Sequence, residues 1–151
     1  RLRLALAGPM GVGKTTVGRS VAGRLRLPFA DLDTLVGDVA AIFAEGGEGA
    51  FRAQESAALA RAVAGRGVLA LGGGTLTAEP NRRALQQWRV VVLLGQPATL
   101  AARLGGDSRP LAPRWLELLE ERTPTWLSYG PPVWVDGLDV DGVAEQVIAR
   151  C

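Results

Sequence analysis

The sequence predicts an α/β domain: a parallel sheet with helices on both faces. Three observations lead there. Short apolar runs alternate with longer stretches of helical spacing along the 151 residues. One run, residues 90–94, is apolar throughout, as a strand covered on both faces should be. The stretch from Gly8 to Thr15 reads G-x-x-x-x-G-K-T and lies between an apolar run and a helical stretch, the context that phosphate-binding loop pattern requires.

Taken in order, the expected strands are residues 2–7, 28–30, 68–71, 90–94 and 133–135. Between and after them, helical spacing covers 15–25, 35–44, 50–64, 79–87, 99–104, 114–126 and 142–150. Two segments fit neither pattern. Residues 72–77 are glycine-rich, and residues 105–113 place Gly105, Gly106, Pro110 and Pro113 around Arg109. The second reads as a movable flap. There are no repeats and no long linker, so residues 1–151 are expected to be one domain.

Composition narrows the chemistry. Hydrophobic residues make up 48% and charged residues 21%, which is a globular balance. A formal charge of +2, with arginines scattered and no aromatic interleaving, argues against a nucleic-acid surface. The single cysteine, Cys151, excludes an internal disulfide and suits a reducing cytoplasm. With no histidine, His-based acid–base catalysis and Cys/His zinc sites are excluded. No apolar run is long enough to span a membrane. Residues 1–7 run straight into the glycine loop, so they read as a strand and not as a signal peptide. Because the sequence does not begin with Met, residues are expected to be missing at the N-terminus.

The loop carries the first candidate site. Its glycines allow backbone N–H groups to wrap a phosphate chain, and the helix behind it offers its positive end. Lys14 can reach the β- and γ-phosphates, and the Thr15 hydroxyl can ligate Mg²⁺. Lys14 is the only lysine among 17 basic residues. A compact ammonium fits inside such a loop where a planar guanidinium does not. A dinucleotide-binding fingerprint fits less well, because Thr16 stands where its third small residue belongs.

Further along, Asp31 and Asp33 follow the second strand. Strand alternation would put both carboxylates on one side, at the ligand-binding edge of the sheet. Asp31 could hold Mg²⁺ through water and Asp33 could orient or deprotonate an acceptor hydroxyl; Asp33 would equally serve as the cap of the next helix. Arg52 and Glu55 share a helix face and either pair with each other or leave Arg52 to clamp a carboxylate. Gly72, Gly73 and Gly74 form either a tight turn or a close-approach surface for a ligand. Arg109 and Arg122 are either surface cations or, for Arg109, a charge delivered when the flap closes. Trp115, Trp126 and Trp134 read as core or rim packing.

This ordered set resembles the shikimate kinase family over nearly the whole chain. The motifs are the loop with Thr15, Thr16, Val17 and Gly18; Asp31-x-Asp33; Ile42-Phe43; Gly47-Glu48-x-x-Phe51-Arg52-x-x-Glu55; Gly72-Gly73-Gly74; Arg109-Pro110-Leu111; and Arg122. The resemblance implies a three-layer α/β/α fold of the nucleoside-monophosphate-kinase type with a five-stranded parallel sheet. It implies transfer of the ATP γ-phosphate to the 3-hydroxyl of shikimate, with Mg²⁺ as cofactor. Gly11, Val12, Gly13, Lys14, Thr15, Thr16, Arg103 and Arg109 would bind ATP, Arg103 by stacking on the adenine. Asp33, Arg52, Gly73, Gly74, Arg122, Phe43, Phe51 and Glu55 would form the shikimate pocket. Lys14, Asp33 and Arg109 would be catalytic, and Thr15 with Asp31 would hold the metal. Residues 32–62 would be the substrate-binding segment and residues 104–114 the lid, in a monomer.

The chain departs from that pattern in two places. The connection between Asp33 and Phe43 lacks several residues, including a Glu, and the lid segment is a residue short. A true deletion after Asp33 is expected to distort the acceptor pocket, so residues omitted from the sequence there are the expected explanation. The loop near residues 137–141 is too divergent for its adenine contacts to be assigned. A gluconate or nucleoside-monophosphate kinase, and a ligand-binding module without turnover, are the alternatives.

Overall fold

The computed structural model describes residues 2–104 and 112–151. The strands are β1 (Arg3–Ala7), β2 (Phe29–Asp31), β3 (Gly67–Ala70), β4 (Arg89–Leu94) and β5 (Val133–Trp134). They form one sheet in the order β2-β3-β1-β4-β5, and every pairing is parallel. The expected five-stranded parallel sheet is therefore present, each strand within a residue or so of its expected bounds. Successive side chains point to opposite faces, yet Leu4, Ala5, Leu6 and Ala7 are all buried. Both faces of the central strand are therefore covered, which is why it reads as an unbroken apolar run.

The helices are α1 (Lys14–Leu25), α2 (Leu32–Val36), α3 (Val39–Ala62), α4 (Glu79–Ala84), α5 (Pro97–Leu104), α6 (Trp115–Leu127) and α7 (Val140–Ile148). Val17 and Val21 of α1, Leu59 of α3, Leu100 of α5, Trp126 of α6 and Val143 and Val147 of α7 complete the core. The periodicity of the chain misread the stretch between residues 35 and 50. The expected helix over residues 35–44 is split at Gly37 (φ 106°, ψ −139°), where α2 ends. Asp38 then caps α3 by accepting from the Ala41 N–H at 3.1 Å. The expected gap between residues 44 and 50 is instead a kink inside α3, at Gly47 (φ 74°, ψ −169°). Among the tryptophans, Trp126 is buried and Trp115 packs against the core, but Trp134 is largely exposed on the edge strand β5.

Strand β1 sits at the switch point of the sheet, with β3 on one side and β4 on the other. The chain must leave it sharply. Gly8 does so with φ 138°, and a Cβ there would strike the carbonyl oxygen of Leu93. Gly8→Ala is expected to lower stability by about 2–4 kcal/mol, because strain and a backbone clash coincide. Gly23→Ala, in the interior of α1 with nothing within 4 Å of its added methyl, is expected to raise stability by about 0.5–1 kcal/mol. Thermal or urea unfolding of the two variants gives opposite signs on this reading.

Candidate active site

The loop between β1 and α1 lies at the end of the central strand. Helix α1 starts at Lys14 behind Gly13, whose φ is 96°, and no side chain caps it. Its first N–H groups therefore point into the loop, where an anion would satisfy them. The Lys14 ammonium is folded over the loop and donates to the carbonyls of Gly8 at 2.7 Å and Pro9 at 3.0 Å. Arg103, near the end of α5, donates to the carbonyls of Gly11 at 3.3 Å and Val12 at 3.2 Å. Helix α5 is in turn tied to the segment after β5. The Asp136 carboxylate accepts from the Thr99 hydroxyl at 2.6 Å and from the Gln96 N–H at 3.1 Å. The Thr99 hydrogen bond is the main reason the Asp136 carboxyl lies below its usual range.

A cavity of about 390 Å³ opens over this loop. One end is lined by residues 11–16, all in or next to the glycine loop. The other is largely apolar, lined by Val135, Leu138, Val140 and Val143 together with Asp139, and Arg103 lines the same cavity. This second end lies where the divergent loop near residues 137–141 runs, and its side chains had no signature in the sequence. What could have found them is position: they follow the last strand, and Val140, Val143 and Val147 share the spacing of an amphipathic helix.

The two aspartates have different duties. Strand β2 ends at Asp31, so Asp33 lies on α2 and strand alternation does not relate the pair. It is Asp31, not Asp33, that caps α2, accepting the Asp33 N–H at 3.0 Å. The other Asp31 oxygen takes a hydrogen bond from the Thr15 hydroxyl. Both aspartates line the large cavity, as do Gly72 and Gly73.

Asp33, Gly72 and Gly73 also line a second cavity, of about 90 Å³. Its other walls are Phe43, Phe51, Arg52, Glu55, Gly74 and Arg122, with Met10 and Val39, which the sequence did not single out. The Phe43 and Phe51 rings lie 5.0 Å apart. Arg52 stacks its guanidinium 4.9 Å from the centroid of Phe51 and donates to Glu55 at 2.8 Å. Glu48 approaches the same guanidinium at 3.6 Å. Arg52 pairs with Glu55, the first of the two alternatives the sequence posed, and it also lines the cavity. Arg122, on α6, is buried. Burial lowers its pKa from the ordinary arginine value, and the like charge of Arg52 adds to that; Glu48 and Glu55 pull the other way. Two guanidiniums brought this close favour an anion between them. After the shortened connection that follows Asp33, Gly37 and Asp38 carry the chain directly into α3, and Phe43 lines this pocket. Arg109, the cation expected in the flap, lies outside the described residues.

A phosphate-binding loop beside a small chamber lined by two arginines and two carboxylates, at the C-terminal edge of a parallel sheet, is the arrangement of a phosphate-loop small-molecule kinase. The family model described as "Shikimate kinase" matches residues 10–126. The chain belongs to the shikimate kinase family. It is 39% identical to the shikimate kinase of Limosilactobacillus fermentum, over 98% of this chain and 94% of that protein. Identity to the Saccharopolyspora erythraea shikimate kinase is 38%, over 96% and 91%. Among solved structures, shikimate kinase from Acinetobacter baumannii in complex with shikimate superposes with a TM-score of 0.86, at 30% identity, covering 99% of this chain and 92% of that one. The Limosilactobacillus alignment spans 163 residues against a chain of 151, so that relative carries internal residues this chain lacks.

Proposed function

We propose that this protein transfers the γ-phosphate of ATP to the 3-hydroxyl of shikimate, releasing shikimate 3-phosphate and ADP. The observation that carries this is the second cavity. Two carboxylates, Asp33 and Glu55, and two guanidiniums, Arg52 and Arg122, line it; Glu55 is bonded to Arg52, and Asp33, Gly72 and Gly73 are shared with the cavity over the phosphate loop. An acid bearing ring hydroxyls matches that set: its carboxylate meets the arginines and a hydroxyl meets Asp33. The aromatic pair Phe43 and Phe51 supplies an apolar flank for the ring.

Residues 11–16 hold the phosphates through the loop amides and the positive end of α1. Lys14 leaves the loop carbonyls to neutralise charge on the β- and γ-phosphates. The base lies in the apolar end, with Arg103 against it. Gly73 and Gly74 offer backbone to the acceptor. Asp33 orients the acceptor hydroxyl toward the terminal phosphorus and takes its proton. Arg109 is assigned to the flap, closing on the transferring group and excluding water.

The Thr15 hydroxyl and the Asp31 carboxylate are hard oxygen donors placed against the phosphate loop, a set that suits Mg²⁺. Mg²⁺ bound there would draw charge from the phosphate oxygens. Two oxygen donors are the usual protein share for Mg²⁺, which takes its remaining ligands from substrate phosphates and water. No described helix is long and apolar enough to cross a membrane. A cytoplasmic monomer that binds neither nucleic acid nor membrane completes the reading.

The test is ADP release in a coupled assay, with shikimate, gluconate and a nucleoside monophosphate as separate acceptors. Release dependent on shikimate, with Mg²⁺ required, is the expected result. Dependence on gluconate or a nucleotide would reassign the acceptor, and binding of shikimate without ADP release would mean a sensing module.

A further inference from the structure

The glycine turn and the arginine clamp of the acceptor cavity are joined by one buried hydroxyl. Thr75 is fully buried, and so is Glu55. The Thr75 Oγ1 accepts the Gly72 N–H at 2.8 Å, so its own proton goes to the Glu55 Oε2, 2.9 Å away. The opposite oxygen, Glu55 Oε1, accepts from Arg52 at 2.8 Å. Each Glu55 oxygen thus has its own partner, and the orientation of the carboxylate depends on both. The turn is equally constrained. A Cβ at Gly72 would come 2.8 Å from Glu55 Oε2 and 3.3 Å from Asp33 Oδ1, and one at Gly74 would press on the Arg52 guanidinium. The Thr75 carbonyl is itself held, accepting from the buried Asn81 amide at 2.9 Å.

We propose that Thr75 is a positioning residue for the acceptor site: its hydroxyl locks the Arg52–Glu55 clamp to the Gly72–Gly73–Gly74 turn. It touches neither substrate nor phosphate. It acts by fixing the register between the guanidinium that receives the acceptor's carboxylate and the backbone that faces its ring. A loose Glu55 would let Arg52 follow Glu48, 3.6 Å away on the preceding turn, and leave the cavity poorly matched to an acid.

This inference rests on the proposed shikimate acceptor, so the test has one arm that depends on that reading and one that does not. In the kinetic arm, Thr75→Val removes the hydroxyl with little change of shape. The KM for shikimate is expected to rise about tenfold, the size of effect that lost hydrogen bonds to a buried charge produce. The KM for ATP should stay within about twofold of wild type. Thr75→Ser, which keeps the hydroxyl, should restore the shikimate KM. In the second arm, Arg52 is modified with an arginine-selective dicarbonyl and quantified by mass spectrometry. Thr75→Val should speed modification at Arg52, and Thr75→Ser should not. If wild type shows no shikimate-dependent turnover, the functional reading fails and the modification arm alone decides this one. An unchanged shikimate KM with unchanged Arg52 reactivity would overturn the proposal. So would parallel shifts in both substrates' KM, or a serine variant as impaired as valine. Should Thr75→Val not fold, Thr75→Ala takes its place; failure of both to fold would make the hydroxyl a stability element and overturn the positioning role.

Discussion

Replacing Lys14 by Met leaves a folded protein that transfers no phosphate. The loss is expected to be about 10³-fold or more in kcat, since a preorganised charge on the transferring phosphoryl group is among the largest contributions an enzyme makes to the reaction. The fold should survive because Lys14 is only half-buried and donates to carbonyls of the loop itself, those of Gly8 and Pro9, rather than to the core. No second lysine exists to take its place. ADP release in the presence of shikimate, run beside a thermal melt, separates the two effects. A Lys14→Met variant turning over at the wild-type rate would remove the loop from the mechanism.

The second large effect belongs to the acceptor side. Arg52→Ala is expected to raise the KM for shikimate about 10²-fold, by removing one half of a charged, two-pronged grip on a carboxylate. The KM for ATP should change little, because Arg52 lines only the smaller cavity. The substitution also leaves Glu55 fully buried without its guanidinium, so the melting temperature should fall. Arg52→Lys distinguishes the two consequences. An ammonium keeps the charge beside Glu55 and so recovers most of the stability, yet it lacks the planar fork and recovers only part of the affinity. Equal losses for shikimate and ATP in Arg52→Ala would instead mark Arg52 as a structural residue.

Most of the architecture was written in local patterns. A strand stretch buried on both faces has to be apolar at every position, and Val91 to Leu94 of β4 is; a phosphate loop needs its glycines and its lysine at set intervals, and they are there. What local pattern could not deliver was the path of the chain where one residue decides it. Gly37 and Gly47 look alike in sequence, but one ends a helix and the other only bends one. The helix cap fell to Asp31 because the strand stops there, a boundary that propensity does not resolve to one residue. The candidate residues Asp33, Phe43, Phe51, Arg52, Glu55 and Arg122 and the glycine triplet all meet at one cavity. The far wall of the larger cavity escaped notice because most of it is made of ordinary valines and a leucine, which carry no motif. Thr75 escaped because nothing in a Gly-Gly-Gly-Thr string says that its hydroxyl will be sealed between a carboxylate and an amide.

Asp33, Gly72 and Gly73 face both chambers, so the partition between them is a single layer of residues. That thinness sets a design rule for inhibitors. A compound that tethers a hydroxylated ring acid to a nucleotide's phosphate chain through a bridge of only a few atoms would fill the two compartments together. Its second half would then bind at an effective concentration in the millimolar range, so two weak fragments would act as one tight ligand.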